Sequence, residues 1–194
     1  QMSSPLMFHA NLINRTKQIK FATGVMCLPQ YHPAVQAGQA AMFDHLSEGR
    51  FIMGVGPGGL LSDFELFGVL EKDRMEMMEE SLDMILELWS TEPPYKMHGK
   101  HWNIEMKDWT HHDIKLGYVP KPLQQPHPPI AMSAMSPSSS SLTFAGQRGY
   151  IPVSANFIAP WSVKTHWPAY CAGADSAGLT ADPNEWHVAR SIFV

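Results

Sequence analysis

The stretch PAVQAGQAAMFDHLSEGRFIMGVGPGG, residues 33–59, carries the pattern that decides the fold class. Its first part begins with a proline and predicts a helix that ends near Gly49. We expect the buried face of that helix to contain Val35, Gly38, Met42 and Leu46. Residues 50–55 then predict a buried strand that runs into the glycine-rich residues 56–59. A helix followed by a continuously apolar strand is typical of βα repeats with a parallel sheet.

The same alternation continues on both sides of this stretch. The pattern predicts strands over residues 19–28, 50–55, 129–134, 150–154 and 186–194. It predicts helices over residues 5–16, 33–48, 74–90, 137–146 and 161–174. Residues 92–128 break the periodicity and are interpreted as an insert within the domain. On the helix at 74–90, the acidic residues are interpreted as a solvated face, and we expect the buried stripe to consist of Met78, Leu82, Ile85 and Trp89.

Two architectures agree with this order of elements, a doubly wound sheet and part of an eight-stranded βα barrel. A complete barrel typically needs about 250 residues, and this chain has 194. Its first and last segments read as cut from a longer sequence. We therefore expect an α/β fold, an incomplete (β/α)8 TIM barrel with about five parallel strands. Residues 1–194 would form one barrel domain truncated at both ends, with the insert at 92–128 inside it.

Composition excludes several classes of protein. The residues are 44% hydrophobic and 16% charged, which argues against disorder, and the net charge of −4 argues against a nucleic-acid partner. No apolar run reaches the ~18 residues that a membrane span needs, and no signal peptide is visible. The two cysteines, Cys27 and Cys171, are too few for a disulfide framework, so a cytoplasmic location is predicted.

Active sites of parallel α/β proteins lie at the carboxyl ends of the strands. The run Gly54–Gly59 lacks the lysine of a phosphate-binding P-loop, and a dinucleotide fingerprint should open directly into a helix. Its glycines allow a flat or bulky ligand to approach the backbone, although a plain tight turn is the alternative interpretation.

A second strand end, Met135–Ser141, lies before a predicted helix with Pro137 in its first turn. Hydroxyls and free N–H groups at a helix N-terminus favour a phosphate site, and a flexible linker is the alternative. The ten histidines show no metal-binding spacing, so no metal site is predicted, and no nucleophile or acid–base pair is indicated by spacing.

Several motifs together resemble the bacterial luciferase-like flavin monooxygenases. They are LPQYHP at residues 28–33, DHLSEGRF at 44–51, DFELFG at 63–68 and QPHPPI at 125–130. The match extends to about residue 157, and the glycine-proline-glycine-glycine sequence with the long insert looks most like the limonene-monooxygenase type. The resemblance implies a (β/α)8 barrel that binds reduced flavin mononucleotide (FMN). It also implies oxidation of a small organic substrate with dioxygen.

The resemblance also implies cofactor-binding positions at the strand ends. Gly24 and Val25 match a dipeptide that forms a non-proline cis peptide bond beside the flavin ring. Met135 and Ser136 match backbone donors to the flavin phosphate, and Ser139 matches a hydroxyl donor. Gly56 and Pro57 belong to the glycine-rich strand end at the flavin, where the luciferases themselves place an arginine at the position of Pro57. The family's catalytic histidine would lie upstream of Gln1, so the catalytic residues stay unknown.

The first functional hypothesis is a flavin-dependent monooxygenase that oxidises a small, apolar substrate. The alternatives are a deazaflavin-dependent oxidoreductase on the same fold and a non-catalytic flavin-binding fragment. Met26, Met53, Met132 and Phe157 suggest an apolar pocket. Partners would be the substrate, dioxygen and a flavin reductase. A homodimer is expected through helices 5–16 and 32–48, because small residues on the second helix would allow close approach, namely Ala37, Gly38, Ala40 and Ala41.

Overall fold

The computed structural model describes residues 4–192. Its helices are α1 (Pro5–Ala10), α2 (Pro33–Leu46), α3 (Leu61–Leu66), α4 (Arg74–Ser90), α5 (Ser140–Arg148), α6 (Pro160–Val163) and α7 (His166–Ser176). Its strands are β1 (Phe21–Ala22), β2 (Met26–Cys27), β3 (Phe51–Gly56), β4 (Tyr95–His98), β5 (Asn103–Met106), β6 (Ile130–Ala134), β7 (Ile151–Ser154) and β8 (His187–Val188).

The chain divides into two compact units. The first unit contains the chain up to Phe21 together with Met26–Phe51 and Pro57–Pro128. The second unit contains Ala22–Val25, Ile52–Gly56 and the chain from Pro129 onward. Most of the large sheet therefore belongs to the second unit, whereas the α2–α4 pair and the insert belong to the first.

The sheet order distinguishes between the two predicted architectures. The strands follow the order β1-β3-β6-β7-β8, and the pairs β3–β6, β6–β7 and β7–β8 are parallel. Along the chain, β6, β7 and β8 are thus each added beside the preceding strand of this order, always on the same side of the growing sheet. A doubly wound sheet reverses direction at a switch point, whereas a βα barrel adds its strands in sequence. The sequential order excludes the doubly wound alternative for this part of the sheet.

Several predicted elements are confirmed. The helix over residues 74–90 has the expected bounds, and Asp73 caps it by accepting hydrogen bonds from the N–H groups of Met75 and Glu76 at 3.1 and 3.0 Å. Its predicted stripe is buried, at Met78, Leu82, Ile85 and Trp89. The strands at 50–55, 129–134 and 150–154 correspond to β3, β6 and β7.

Other predicted elements are shorter or divided. The strand predicted over 19–28 is two short strands, and the helix at 161–174 is interrupted between α6 and α7. The strand predicted over 186–194 is reduced to His187–Val188, and beyond it the Arg190 side chain donates to the carbonyl oxygens of Asn156 and Ile158. The last two residues of that prediction, 193 and 194, lie outside the described residues.

The buried face predicted for α2 is wrong. Val35, Met42 and Leu46 are 50%, 62% and 51% exposed, whereas Ala37, Ala40 and Ala41 are fully buried. The small residues face inward because α4 packs closely against this side of α2. There the indole N–H of Trp89 donates to the Ala37 carbonyl oxygen at 3.2 Å. The buried residues of α2 thus combine the three alanines with Phe43 and Gln36, so hydrophobicity alone does not determine which face is buried.

The insert contains a hairpin that α4 holds through two acidic side chains. Strands β4 and β5 pair antiparallel, with Tyr95 opposite Met106 and His98 opposite Asn103. The Glu80 carboxylate accepts hydrogen bonds from the backbone N–H groups of residues 100, 101 and 102 at 2.7–3.2 Å. Glu76 forms ion pairs with Lys100 and His101. The interpretation of the acidic residues of α4 as a solvated face is therefore wrong for the half-buried Glu80, whereas the Glu76 side chain is 43% exposed.

Two residues of the DHLSEGRF motif have structural roles. The Asp44 carboxylate is fully buried and accepts hydrogen bonds from the backbone N–H and the side-chain amide of Gln124 at 2.8 and 2.7 Å. The Arg50 guanidinium donates to the carbonyl oxygens of Ile13 and Thr16. These contacts hold chain segments that are remote in sequence, so the motif marks the fold rather than the chemistry.

Candidate functional site

The carboxyl ends of three strands of the second unit lie at one edge of the sheet. Val55 pairs with Met132, and Ala134 pairs with Ser154. Because these strands are parallel, the residues that follow them emerge on the same side. Six of the seven predicted cofactor-binding residues belong to this unit, namely Gly24, Val25, Gly56, Met135, Ser136 and Ser139.

At the carboxyl end of β3, glycines allow the backbone to approach the segment at residues 23–25 closely. The Gly24–Val25 peptide bond is cis, as the resemblance predicted. The Thr23 hydroxyl donates to the Gly54 carbonyl oxygen at 2.8 Å, and a Cβ at Gly54 would overlap the Thr23 carbonyl. At Gly56 a Cβ would lie 3.0 Å from the Val25 side chain. A side chain at residue 54 is therefore excluded by the Thr23 backbone, and one at residue 56 would press against the Val25 side chain.

Pro57 and the glycines after it lie in the first unit. Pro57 is half-buried, and Gly58 has φ of +86° with the Phe64 ring where its Cβ would lie. A helix does follow this run, because α3 begins at Leu61. This helix has six residues and lacks a side-chain cap, so it does not resemble the long helix of a dinucleotide fingerprint.

The carboxyl end of β6 leads into a loop of residues Met135–Ser139, which we call the serine loop. Met135 is 54% exposed, and Ser139 is 7% exposed. Helix α5 begins at Ser140 rather than at Pro137 as predicted, because Ser138 has a left-handed φ of +47° that a right-handed helix cannot contain. The Ser139 hydroxyl makes no capping hydrogen bond to α5 within the described residues. The first-turn N–H groups of α5 therefore receive no hydrogen bond from the Ser139 side chain.

The serine loop is anchored by α7. The Ser138 N–H donates to the Thr165 hydroxyl oxygen at 2.7 Å, and a ring nitrogen of His166 lies 3.0 Å from the Ser136 carbonyl oxygen. The other ring nitrogen of His166 lies 2.8 Å from the Ser154 hydroxyl oxygen. Sequence reasoning missed His166 and Thr165. Ser154 was noted only as a strand end, and no local motif signals contacts across 12 to 30 residues.

The arrangement fits anion binding and does not favour nucleophilic chemistry. Burial, followed by the Asp63 carboxylate, raises the pKa of the Cys27 thiol, and burial raises the pKa of Cys171. Both cysteines are free and therefore remain protonated thiols at neutral pH. Within residues 4–192 no group of three His, Cys, Asp or Glu side chains converges as a metal site requires.

The predicted apolar pocket residues do not share one environment. Met53 and Met132 have no exposed surface and belong to the packed core, whereas Phe157 is 71% exposed. Only the exposed ring is therefore available to a ligand in this structure. No helix among the described residues combines the length and apolar character needed to cross a membrane.

Comparison with known proteins identifies close relatives of this arrangement. The model of the luciferase-like monooxygenase family matches residues 1–194. The 4-hydroxyprotoasukamycin monooxygenase of Streptomyces nodosus subsp. asukaensis is 34% identical over 100% of this chain and 51% of the relative. The limonene 1,2-monooxygenase of Rhodococcus erythropolis is 30% identical over 100% of this chain and 47% of the relative. The chain thus spans about half the length of these curated relatives.

Solved structures agree with the sequence comparison. The oxygenating constituent of 3,6-diketocamphane monooxygenase from Pseudomonas putida, a type II Baeyer-Villiger monooxygenase in complex with FMN, has a TM-score of 0.86. It is 29% identical, and the match covers 97% of this chain and 52% of that one. An F420-dependent secondary alcohol dehydrogenase, 22% identical with a TM-score of 0.75, shares the fold. The predicted fold class, part of a (β/α)8 barrel, is confirmed.

Proposed function

Because this chain belongs to the luciferase-like monooxygenase family, we propose that it is part of a flavin-dependent monooxygenase. The enzyme would oxidise a small, apolar organic substrate with reduced FMN and dioxygen. The observation that carries this proposal is the serine loop at the N-terminus of α5, where Ser139 has a hydroxyl that does not cap the helix. Residues 1–194 would be one barrel domain with an insert at 92–128, continued by further chain.

The residues of the second unit fit an FMN molecule. The first turn of α5 provides N–H groups and the positive end of a helix dipole, which suit a dianionic phosphate. Backbone N–H groups of Met135 and Ser136, with the hydroxyl of Ser139, would hold that phosphate. No atom lies within 4 Å of a Cβ position at Gly24, which leaves the backbone there open to a flat ring. Pro57 contributes no charge, so phosphate binding here depends on N–H and hydroxyl groups without an arginine.

The protein's share of the chemistry is binding and orientation. Reduced FMN, when bound, supplies the electrons that activate dioxygen. The serine loop would fix the phosphate end, and the glycine backbone at Gly24 and Gly56 would fix the plane of the ring. Exposed Phe157 would contribute to an apolar surface for the substrate. No side chain of this chain is assigned a proton-transfer step.

FMN is favoured over a deazaflavin by the degree of similarity. The FMN complex is 29% identical to this chain, whereas the F420-dependent structures are 22% and 21% identical and show the fold alone. A relative 32% identical is the oxygenase component of a trigonelline monooxygenase from Acinetobacter baylyi. By analogy a separate flavin reductase would deliver the reduced flavin. The two free thiols agree with a reducing, cytoplasmic location.

We infer that the protein forms a homodimer through α2, on a different face from the one predicted. Three of the four small residues proposed for that contact, Ala37, Ala40 and Ala41, are buried inside the first unit and are unavailable, whereas Gly38 is half-buried. Val35, Met42 and Leu46 instead form an exposed apolar stripe at helical spacing. In Met42→Glu a charge enters this stripe, and light scattering should show monomers, whereas Gln147→Glu on α5 should leave the dimer intact. A wild-type monomer contradicts the proposal.

The phosphate site is tested by titrating the full-length protein with FMN. Ser139→Ala should weaken FMN binding by about 0.5–1.5 kcal/mol, the net contribution of one hydrogen bond. Ser90→Ala, at the exposed last residue of α4, is the matched control and should bind like the wild type. Steady-state turnover with reduced FMN and dioxygen then tests the monooxygenase activity. Unchanged FMN affinity in Ser139→Ala would remove this residue from the site.

A further inference from the structure

A chain of four polar groups crosses the interior of the second unit behind the serine loop. The Trp186 indole nitrogen lies 3.0 Å from the Ser154 hydroxyl oxygen, which lies 2.8 Å from Nδ1 of His166. Nε2 of His166 lies 3.0 Å from the Ser136 carbonyl oxygen. Ser154 and His166 are both 0% exposed, so water does not compete for the bond between them, whereas the bonds to Trp186 and Ser136 are partly buried.

Donor and acceptor chemistry determines the direction of every bond in this chain. A carbonyl oxygen only accepts, so Nε2 of His166 must carry a hydrogen and donate to Ser136. Nδ1 of the neutral ring is then an acceptor, and the Ser154 hydroxyl must donate to it. The indole N–H of Trp186 only donates, and the Ser154 oxygen accepts it. One tautomer of His166 satisfies all four groups.

The position of His166 is set by a close contact between two helices. A Cβ at Gly146 of α5 would overlap the Tyr170 carbonyl oxygen, and a Cβ at Gly173 of α7 would overlap the Thr143 carbonyl oxygen. The two helices therefore approach at backbone distance. This contact brings the first turn of α7, with Thr165 and His166, to the loop that precedes α5.

Resting on the function proposed above, we propose that His166 is a positioning residue for FMN, holding the Ser136 carbonyl so that the serine loop presents its N–H groups to the phosphate. His166 does not itself touch the cofactor, because its ring is fully buried and both nitrogens are occupied. Its effect is therefore specific to the phosphate end. Affinity for FMN should depend on the His166 donor, whereas affinity for riboflavin, which lacks the phosphate, should not.

Two amide substitutions separate the two nitrogens. In His166→Gln the side-chain amide can place a donor near the position of Nε2, and in His166→Asn it can place an acceptor only near the position of Nδ1. The full-length protein is titrated with FMN and with riboflavin. His166→Asn should raise the Kd for FMN by about three- to tenfold and leave that for riboflavin within about twofold. His166→Gln should retain both affinities. The exposed His187→Asn is the matched control and should bind both ligands like the wild type.

The outcomes are distinct. The proposal is supported if His166→Asn loses its preference for FMN over riboflavin and His166→Gln retains that preference. An equal loss of affinity for FMN and riboflavin in His166→Asn indicates general destabilisation and overturns it. If His166→Asn prefers FMN to riboflavin as strongly as the wild type does, the positioning role of His166 is overturned, but the phosphate site is not. A wild-type protein that does not prefer FMN to riboflavin overturns the phosphate site itself, and the positioning role with it.

Discussion

The serine loop of the second unit and the hairpin turn at residues 99–102 of the first unit are both held by side chains from a neighbouring helix, but the chemical groups that hold them differ. In each, side chains of a neighbouring helix bind the backbone of a loop. The serine loop is bound by the fully buried ring of His166 in α7 and by the half-buried hydroxyl of Thr165, the residue before that helix. Glu80 and Glu76 of α4 bind the hairpin turn with charged groups in partial contact with solvent.

The difference concerns what happens when a bond is lost. A buried donor without an acceptor costs its full desolvation free energy, whereas an exposed group recovers a hydrogen bond from water. The serine loop should therefore adopt one conformation, as a phosphate site requires. The hairpin turn should tolerate substitution and respond to pH. Three experiments test this difference between the two loops.

The largest effect is expected where the helix contact supports the serine loop. Gly146→Ala places a methyl group on the Tyr170 carbonyl and forces α5 and α7 apart, so it should destabilise the protein by about 3 kcal/mol or more. Gly38→Ala in α2 is the matched control, because no atom lies within 4 Å of its Cβ position. It should stabilise by up to about 1 kcal/mol. Urea unfolding measures both, and equal effects would contradict the close contact.

A smaller effect is expected at the hairpin turn. Glu80→Ala removes the acceptor of three backbone N–H groups, which should reduce the free energy of unfolding by about 1–2 kcal/mol. Hydrogen exchange of the amides at residues 100–102 should accelerate in this variant. Glu87→Ala, an exposed position on the same helix, should change neither quantity. Unchanged exchange in Glu80→Ala would mean that the carboxylate does not hold the turn.

The smallest effect is a dependence of stability on pH. Hydrogen bonds from Lys100 and His101 lower the pKa of the Glu76 carboxyl. A lowered pKa in the folded state means that this contribution is present above the unfolded pKa and is lost as the pH falls through the folded value. The difference in unfolding free energy between wild type and Glu76→Gln should therefore shrink on acidification below the ordinary glutamate range. A difference that grows in acid would contradict this ion pair.

The sequence predicted the positions of the helices and strands better than it predicted which helix faces are buried and which side chains are in contact. The helix at 74–90 was predictable because its apolar stripe repeats over 17 residues. The buried face of α2 was not, because three alanines pack inward and larger apolar residues remain exposed. The cis bond at Gly24–Val25 was expected only from the family resemblance. The His166 network was missed because its partners come from three separate strand ends and loops, and no local spacing encodes such contacts.

The central claim is that the serine loop binds the phosphate of FMN. A crystal structure of the full-length protein with FMN tests it most directly. Phosphate oxygens should lie within about 2.7–3.2 Å of the Ser139 hydroxyl and of the N–H groups of Met135 and Ser136, the normal hydrogen-bond range. An ordered FMN whose phosphate lies elsewhere, with the serine loop free of contact, would contradict it.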